Sequence, residues 1–158
     1  MSERSRATAA AILFGGLVAG TIDIGAACVI NHRSLDFILH SIAGGLLAER
    51  SFSGGTATAV LGGILQEAMG VLIATIYVLM ALRLPSLLQR WFLFGLAYGV
   101  TIFFVMNYVV LPLSAWHSVP HFSTATLVAN MIAMLLFGVI VSYFAHRKLG
   151  RPPALEHE

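Results

Sequence analysis

Four long apolar runs organise the chain: Ala9 to Ile30, Ala57 to Leu82, Phe92 to Leu113 and Thr124 to Ala145. At 1.5 Å of rise per residue, each is long enough to cross about 30 Å of hydrocarbon as a helix. Between the second and third lies RLPSLLQR, where Pro85 ends a helix and Arg83 and Arg90 mark a turn at a charged surface. Between the third and fourth lies SAWHSVPHFS, which follows Pro112 and contains Trp116, Pro120 and two histidines.

A fifth apolar stretch, Ser34 to Ala48, is too short to match them, reaching only about 22 Å as a helix. Leu35, Ile38, Leu39, Ile42 and Leu46 recur on one face, with Asp36 and His40 on another. That pattern predicts an amphipathic or re-entrant helix, followed by the small-residue loop SFSGGTATA. Beyond Lys148 the segment GRPPALEHE has two prolines and no apolar period, which predicts a disordered tail over 149–158. The expected fold is an all-α membrane protein: a single domain over 1–148, built as a four-transmembrane-helix bundle with an additional amphipathic or re-entrant helix on the outer face.

Composition agrees with this class. Hydrophobic residues make up 58% and charged residues 10%, with a mean hydropathy of +0.88, whereas soluble domains carry about 25% charged residues. The net charge of +2 does not point to nucleic acid, because the basic residues sit at span ends. With the N-terminus inside, the cytoplasmic face collects Arg4, Arg6, Arg83, Arg90, Arg147, Lys148 and Arg151, against Arg33 and Arg50 outside. This asymmetry places both termini in the cytoplasm. Arg4 and Arg6 before an apolar run ending at Cys28 resemble a lipoprotein leader, but Asp23 and Gly25 interrupt the run, so the segment reads as a retained span. Cys28 is the single cysteine, which excludes an intrachain disulfide and a Cys-based zinc motif and suggests a packing role.

The polar residues inside the spans carry the functional question. Lipid and helix are equally apolar, so helices associate through small residues, and glycine-rich stripes mark the bundle interior. Gly16, Gly20, Asp23 and Ala27 share one stripe; Ala59, Gly63, Glu67, Gly70 and Ala74 share another. Gly95, Gly99, Phe103 and Asn107 line up in the third span beside Tyr98, and Asn130, Met134 and Gly138 do so in the fourth. Counted along their helices, Asp23, Glu67, Asn107 and Asn130 all fall about 9 to 15 Å from the outer surface. One layer formed by Asp23, Gln66, Glu67, Asn107, Asn130 and Tyr98 is therefore the candidate site for an ion or polar substrate. Two readings stay open: hydrogen-bonded glue between helices, or a hydrated cavity in which the carboxyls bind a cation, carry protons or contact a solute.

Four histidines fall in the outer connections. His32, Asp36 and His40 repeat at helical spacing, and His117 with His121 is spaced for one metal only on a helix, which Pro120 opposes. Metal binding by these five, a pH response and plain interfacial packing are the alternatives. Hydrolytic, phosphate-binding and dinucleotide motifs are absent from the sequence, so no enzymatic activity and no cofactor are expected.

The stretches GLAYGVTIFFVMNYVVLPLSAW and HFSTATLVANMIAMLLFGVIVSYFAHR, with GGLVAG near the start, resemble the YagU-like small inner-membrane proteins of bacteria. The outer connection and GTIDIGAA depart from that pattern. The resemblance implies a bacterial inner-membrane location and a link to acid tolerance, and it supplies no catalytic residues. The expected function is permeation or transport of protons, cations or a small polar solute. The alternatives are an assembly or stress-tolerance factor acting through helix contacts, and a metal-binding membrane protein. Expected partners are the lipid bilayer and either a second copy of the chain or partner membrane helices.

Overall fold

A computed structural model describes residues 2–118 and 122–150; His121 and residues 151–158 of the expected tail lie outside the described residues. The described residues form helices with no strand. In chain order these are α1 (Glu3–Asn31), α2 (Leu35–Leu47), α3 (Gly55–Arg83), a short α4 (Ser86–Gln89), α5 (Trp91–Leu113) and α6 (Thr124–Leu149). A 3-10 segment, Ala48–Ser53, joins α2 to α3. Helices α1, α3, α5 and α6 are each long and apolar enough to cross a membrane. They extend the sequence-derived spans by a few residues, because caps and basic ends continue the hydrogen-bonded ladder past the apolar run.

Local signals set the boundaries. Ser2, Ser34 and Ser123 each accept a hydrogen bond from the backbone N–H three residues on, which supplies N-caps for α1, α2 and α6. His32 closes α1 in the left-handed region at φ 51°. Pro85 stands between α3 and α4, as expected from its missing donor. At the end of the tail region that does lie in view, Leu149 completes α6 and Gly150 caps it.

Packing follows the glycines. Helix α1 packs against both α3 and α6, α6 also carries α5, and α2 lies on α3. A Cβ on Gly16 would stand 2.6 Å from the Val71 Cα, and one on Gly70 would stand 2.7 Å from the Gly16 carbonyl oxygen. A Cβ on Gly99 would stand 2.8 Å from the Leu135 Cα, and Gly138 sits directly against Gly95. These crossings bring backbone against backbone, the arrangement that holds helices together where lipid gives no hydrophobic driving force. On α3 it is Gly62, one position before the expected Gly63, that takes the tight contact, because it meets the Leu39 carbonyl of α2. Leu13, Leu17, Leu72, Ile76 and Leu79 remain exposed on the outside, the face a bilayer covers.

Helices α3 and α5 do not pack closely backbone to backbone. The Tyr77 and Tyr98 rings, with centroids 5.0 Å apart, bridge them instead, and Tyr98 Oη donates to the Ile73 carbonyl at 2.8 Å. Tyr77 Oη reaches the Leu87 carbonyl of α4 at 3.3 Å. The two tyrosines therefore hold α3 and α5 apart at the α4 end, and a space opens between them toward the α2 end.

Candidate functional site

Two adjacent side chains on α3, Gln66 and Glu67, meet the middle of α1. Gln66 Nε2 donates to Asp23 Oδ2 at 2.8 Å, and Thr21 Oγ1 donates to Glu67 Oε1 at 3.1 Å. Gly20 makes this approach possible: a Cβ there would stand 3.1 Å from Glu67 Oε2. That second oxygen, Oε2, is buried and has no hydrogen-bond partner among the described residues. An orphaned buried polar atom costs about 1–3 kcal/mol, and more when charged. In a span where the surroundings are hydrocarbon, such an atom calls for a proton, a cation or a water.

Beside this pair lies a partly open cavity of about 730 Å³, walled by α3 on one side and α5 on the other and roofed by α2. Gln66 and Asn107 face it from opposite walls, and Ser41, Ser114 and Trp116 line its roof. The roof is pinned at three points. Trp116 Nε1 donates to the Ser41 carbonyl at 3.1 Å, the Ala115 N–H donates to the Gly45 carbonyl at 2.8 Å, and the Trp116 ring fits against Gly44, where any Cβ would collide with it.

The α5 wall departs from regular helix. Met106–Val110 is a π-helical segment in which the Leu111 N–H bonds to the Met106 carbonyl, five residues back. Pro112 follows directly and supplies no N–H of its own, so the ladder shifts register ahead of it. Single π turns within α-helices are frequent at functional sites. Here the segment turns Met106, Asn107 and Val110 toward the cavity.

The structure thus sets two neighbouring contacts between α1 and α3, Asp23 with Gln66 and Thr21 with Glu67. Asn107 lies across the cavity, its Nδ2 bonded to the Phe103 carbonyl of its own helix at 2.8 Å. Asn130 likewise bonds one turn back, to the Thr126 carbonyl at 2.8 Å, and Tyr98 is engaged with Ile73. None of these three hydrogen-bonds to either carboxyl, so the expected layer resolves into a carboxyl pair, a cavity wall and two separate helix contacts.

The histidines of the two connections spread out. His40 is buried, with Nδ1 2.8 Å from the Asp36 carbonyl, Nε2 3.1 Å from the Gly55 carbonyl, and the Asp36 carboxylate 3.4 Å away. His32 and His117 are exposed, each at a left-handed backbone position. Among the described residues no three His, Cys, Asp or Glu side chains gather closely enough to hold a metal ion. Cys28 is a free, half-buried thiol on α1.

Thr21, Trp116, the two roof serines and the π segment escape a reading of the sequence. Thr21 looks like any span threonine until α1 is known to pack on α3. Pro112 near the end of a span was the one available pointer to the shifted ladder. Comparison with protein-family models, curated proteins and solved structures returns no match.

Proposed function

We propose that this chain is a small transport or permeation protein of a bacterial inner membrane, both termini cytoplasmic. The cavity under α2 receives a solute, and the Asp23–Glu67 pair behind its wall carries the proton or cation that accompanies the solute's movement. One observation carries the reading: Gln66 belongs both to the cavity wall and to the carboxyl pair, through its bond to Asp23. A solute that draws on the Gln66 amide alters the bond Asp23 depends on, which couples cavity occupancy to the charge state of the pair. The orphaned Glu67 Oε2 is where a proton or cation gains most, since hydrocarbon offers it no other partner.

The topology is consistent with this orientation. Arg4, Arg6, Arg83, Arg90, Arg147 and Lys148 all lie at the α4 end of the bundle, which is the cytoplasmic end by the positive-inside rule. The cavity and α2 then face the periplasmic half.

The test is proton movement into vesicles. Purified protein is reconstituted with a trapped pH dye, and a potassium diffusion potential is imposed with valinomycin. The expected result is proton uptake above that of protein-free vesicles, lost in Glu67→Gln and reduced in Asp23→Asn. Equal uptake by Glu67→Gln and the unaltered protein overturns the reading.

A further inference from the structure

The lining of the cavity also specifies what it holds. We infer that the cavity under α2 is a binding site for an uncharged amphiphile: an apolar body carrying one hydrogen-bonding head such as a hydroxyl or carboxamide. The inference rests on the cavity being the solute site, and is independent of how the carboxyl pair is coupled to it.

Charge is the first constraint. Among the described residues, no Asp, Glu, Lys, Arg or His lines the cavity. A charged head entering it would lose its hydration with no opposite charge in return, a cost far above that of a neutral polar group. Asp23 and Glu67 are not part of the lining: Glu67 accepts from Thr21 of α1, and Asp23, on α1, accepts from Gln66 of α3.

Polarity is the second. Apolar side chains from α2, α3 and α5, among them Ile42, Leu65, Met69 and Val110, supply most of the wall. Against this stand two amides on opposite walls. Asn107 commits one N–H to Phe103 and Gln66 one N–H to Asp23, which leaves each amide a carbonyl oxygen and a second N–H. An apolar enclosure with a few convergent polar groups is the usual make-up of a small-molecule site, and about 730 Å³ lies within the usual range of about 300–1,000 Å³. Met69 and Met106 face it with flexible thioethers that adapt to varied apolar shapes.

Access is the third. Because α3 and α5 are not packed closely together, the cavity lies between two membrane-crossing helices at the level of Leu65, Met69 and Met106. A compound dissolved in the bilayer therefore has no closely packed α3–α5 seam to part before entering. The π segment adds an independent pointer, since the ladder shifts just where Met106, Asn107 and Val110 meet the cavity.

Trp116 makes binding measurable, because it lines the cavity and Trp91, the second of the two tryptophans, packs far off at the α4 end against His146. The Trp91→Phe protein in lipid nanodiscs is titrated with a brominated medium-chain alcohol, and with the carboxylate and trimethylammonium compounds of equal chain length. The expected result is saturable quenching by the alcohol, displaced by the unbrominated alcohol, with affinity at least about tenfold weaker for both ions. Asn107→Leu and, separately, Gln66→Leu weaken alcohol binding by about tenfold, the size of one lost hydrogen bond in a dry site. Quenching that never saturates, equal quenching by an ion, or unchanged affinity in both leucine variants overturns the inference. Glu67→Gln separates the two proposals, because it is expected to retain alcohol binding while losing proton uptake. Proton uptake without alcohol binding removes the ligand class alone, and alcohol binding without proton uptake removes the coupling alone.

Discussion

Replacing Glu67 with methionine, a side chain of similar length, is expected to stabilise the fold and to end the proposed proton uptake. In the native chain Glu67 Oε2 is buried without a partner, a burden of about 1–3 kcal/mol for a neutral polar atom. Methionine removes that atom and keeps the volume beside Gly20. The loss is the bond from Thr21, worth about 0.6 kcal/mol on average between membrane helices. Thr21 is exposed on its helix and regains a partner by donating to the carbonyl one turn back. The difference favours Glu67→Met by about 0.5–2 kcal/mol. The assay is reversible unfolding in mixed micelles, followed by helical circular dichroism, beside proton uptake in vesicles. A Glu67→Met protein less stable than the unaltered one by about 1 kcal/mol would show that Oε2 is well partnered, and the argument for a proton or cation at that atom would fail.

Other substitutions probe the scaffold. Gly16→Val places a side chain into the Val71 backbone and forces α1 from α3; the expected cost is about 3 kcal/mol or more in the same unfolding assay, since backbone cannot yield. Trp116→Ala removes the bond to Ser41 and the ring seated on Gly44, so amide hydrogen exchange over 35–47 is expected to speed up while that of α6 stays unchanged. Tyr98→Phe deletes the bond to Ile73 and lowers stability by about 1 kcal/mol, with the cavity and alcohol binding retained.

How far the sequence reached depends on the kind of information each feature needs. The four spans were legible because about 20 apolar residues have few other uses. Helix α2 was legible from its length and its Leu35–Ile38–Ile42–Leu46 face, and the structure lays it on α3 at the end of the bundle. The small-residue stripes marked the faces that turn inward, because glycine is what permits backbone contact. Which stripe meets which was not legible: Asn107 and Asn130 share the depth of Asp23, yet their amides turn back to their own helices. Pairing Gln66 with Asp23 and Glu67 with Thr21 required the helix order, which no single residue encodes. The cavity arises from what α3 and α5 do not do, and a gap between helices leaves no mark on either one.

The claim on which the account turns is that the carboxyl pair is reached from the cavity through Gln66. In a Cys28→Ser background, Met69→Cys faces the cavity one turn along α3 from Gln66, whereas Ile64→Cys stands on the exposed apolar outside of α3. Each is exposed, in intact vesicles, to a small water-soluble thiol reagent and to the same reagent in the presence of the medium-chain alcohol. The account predicts that the cysteine at 69 is modified faster than that at 64, that the alcohol protects 69 alone, and that modification at 69, which fills the cavity beside Gln66, stops proton uptake. A cysteine at 69 as inert as that at 64, or modified with proton uptake undiminished, would contradict it.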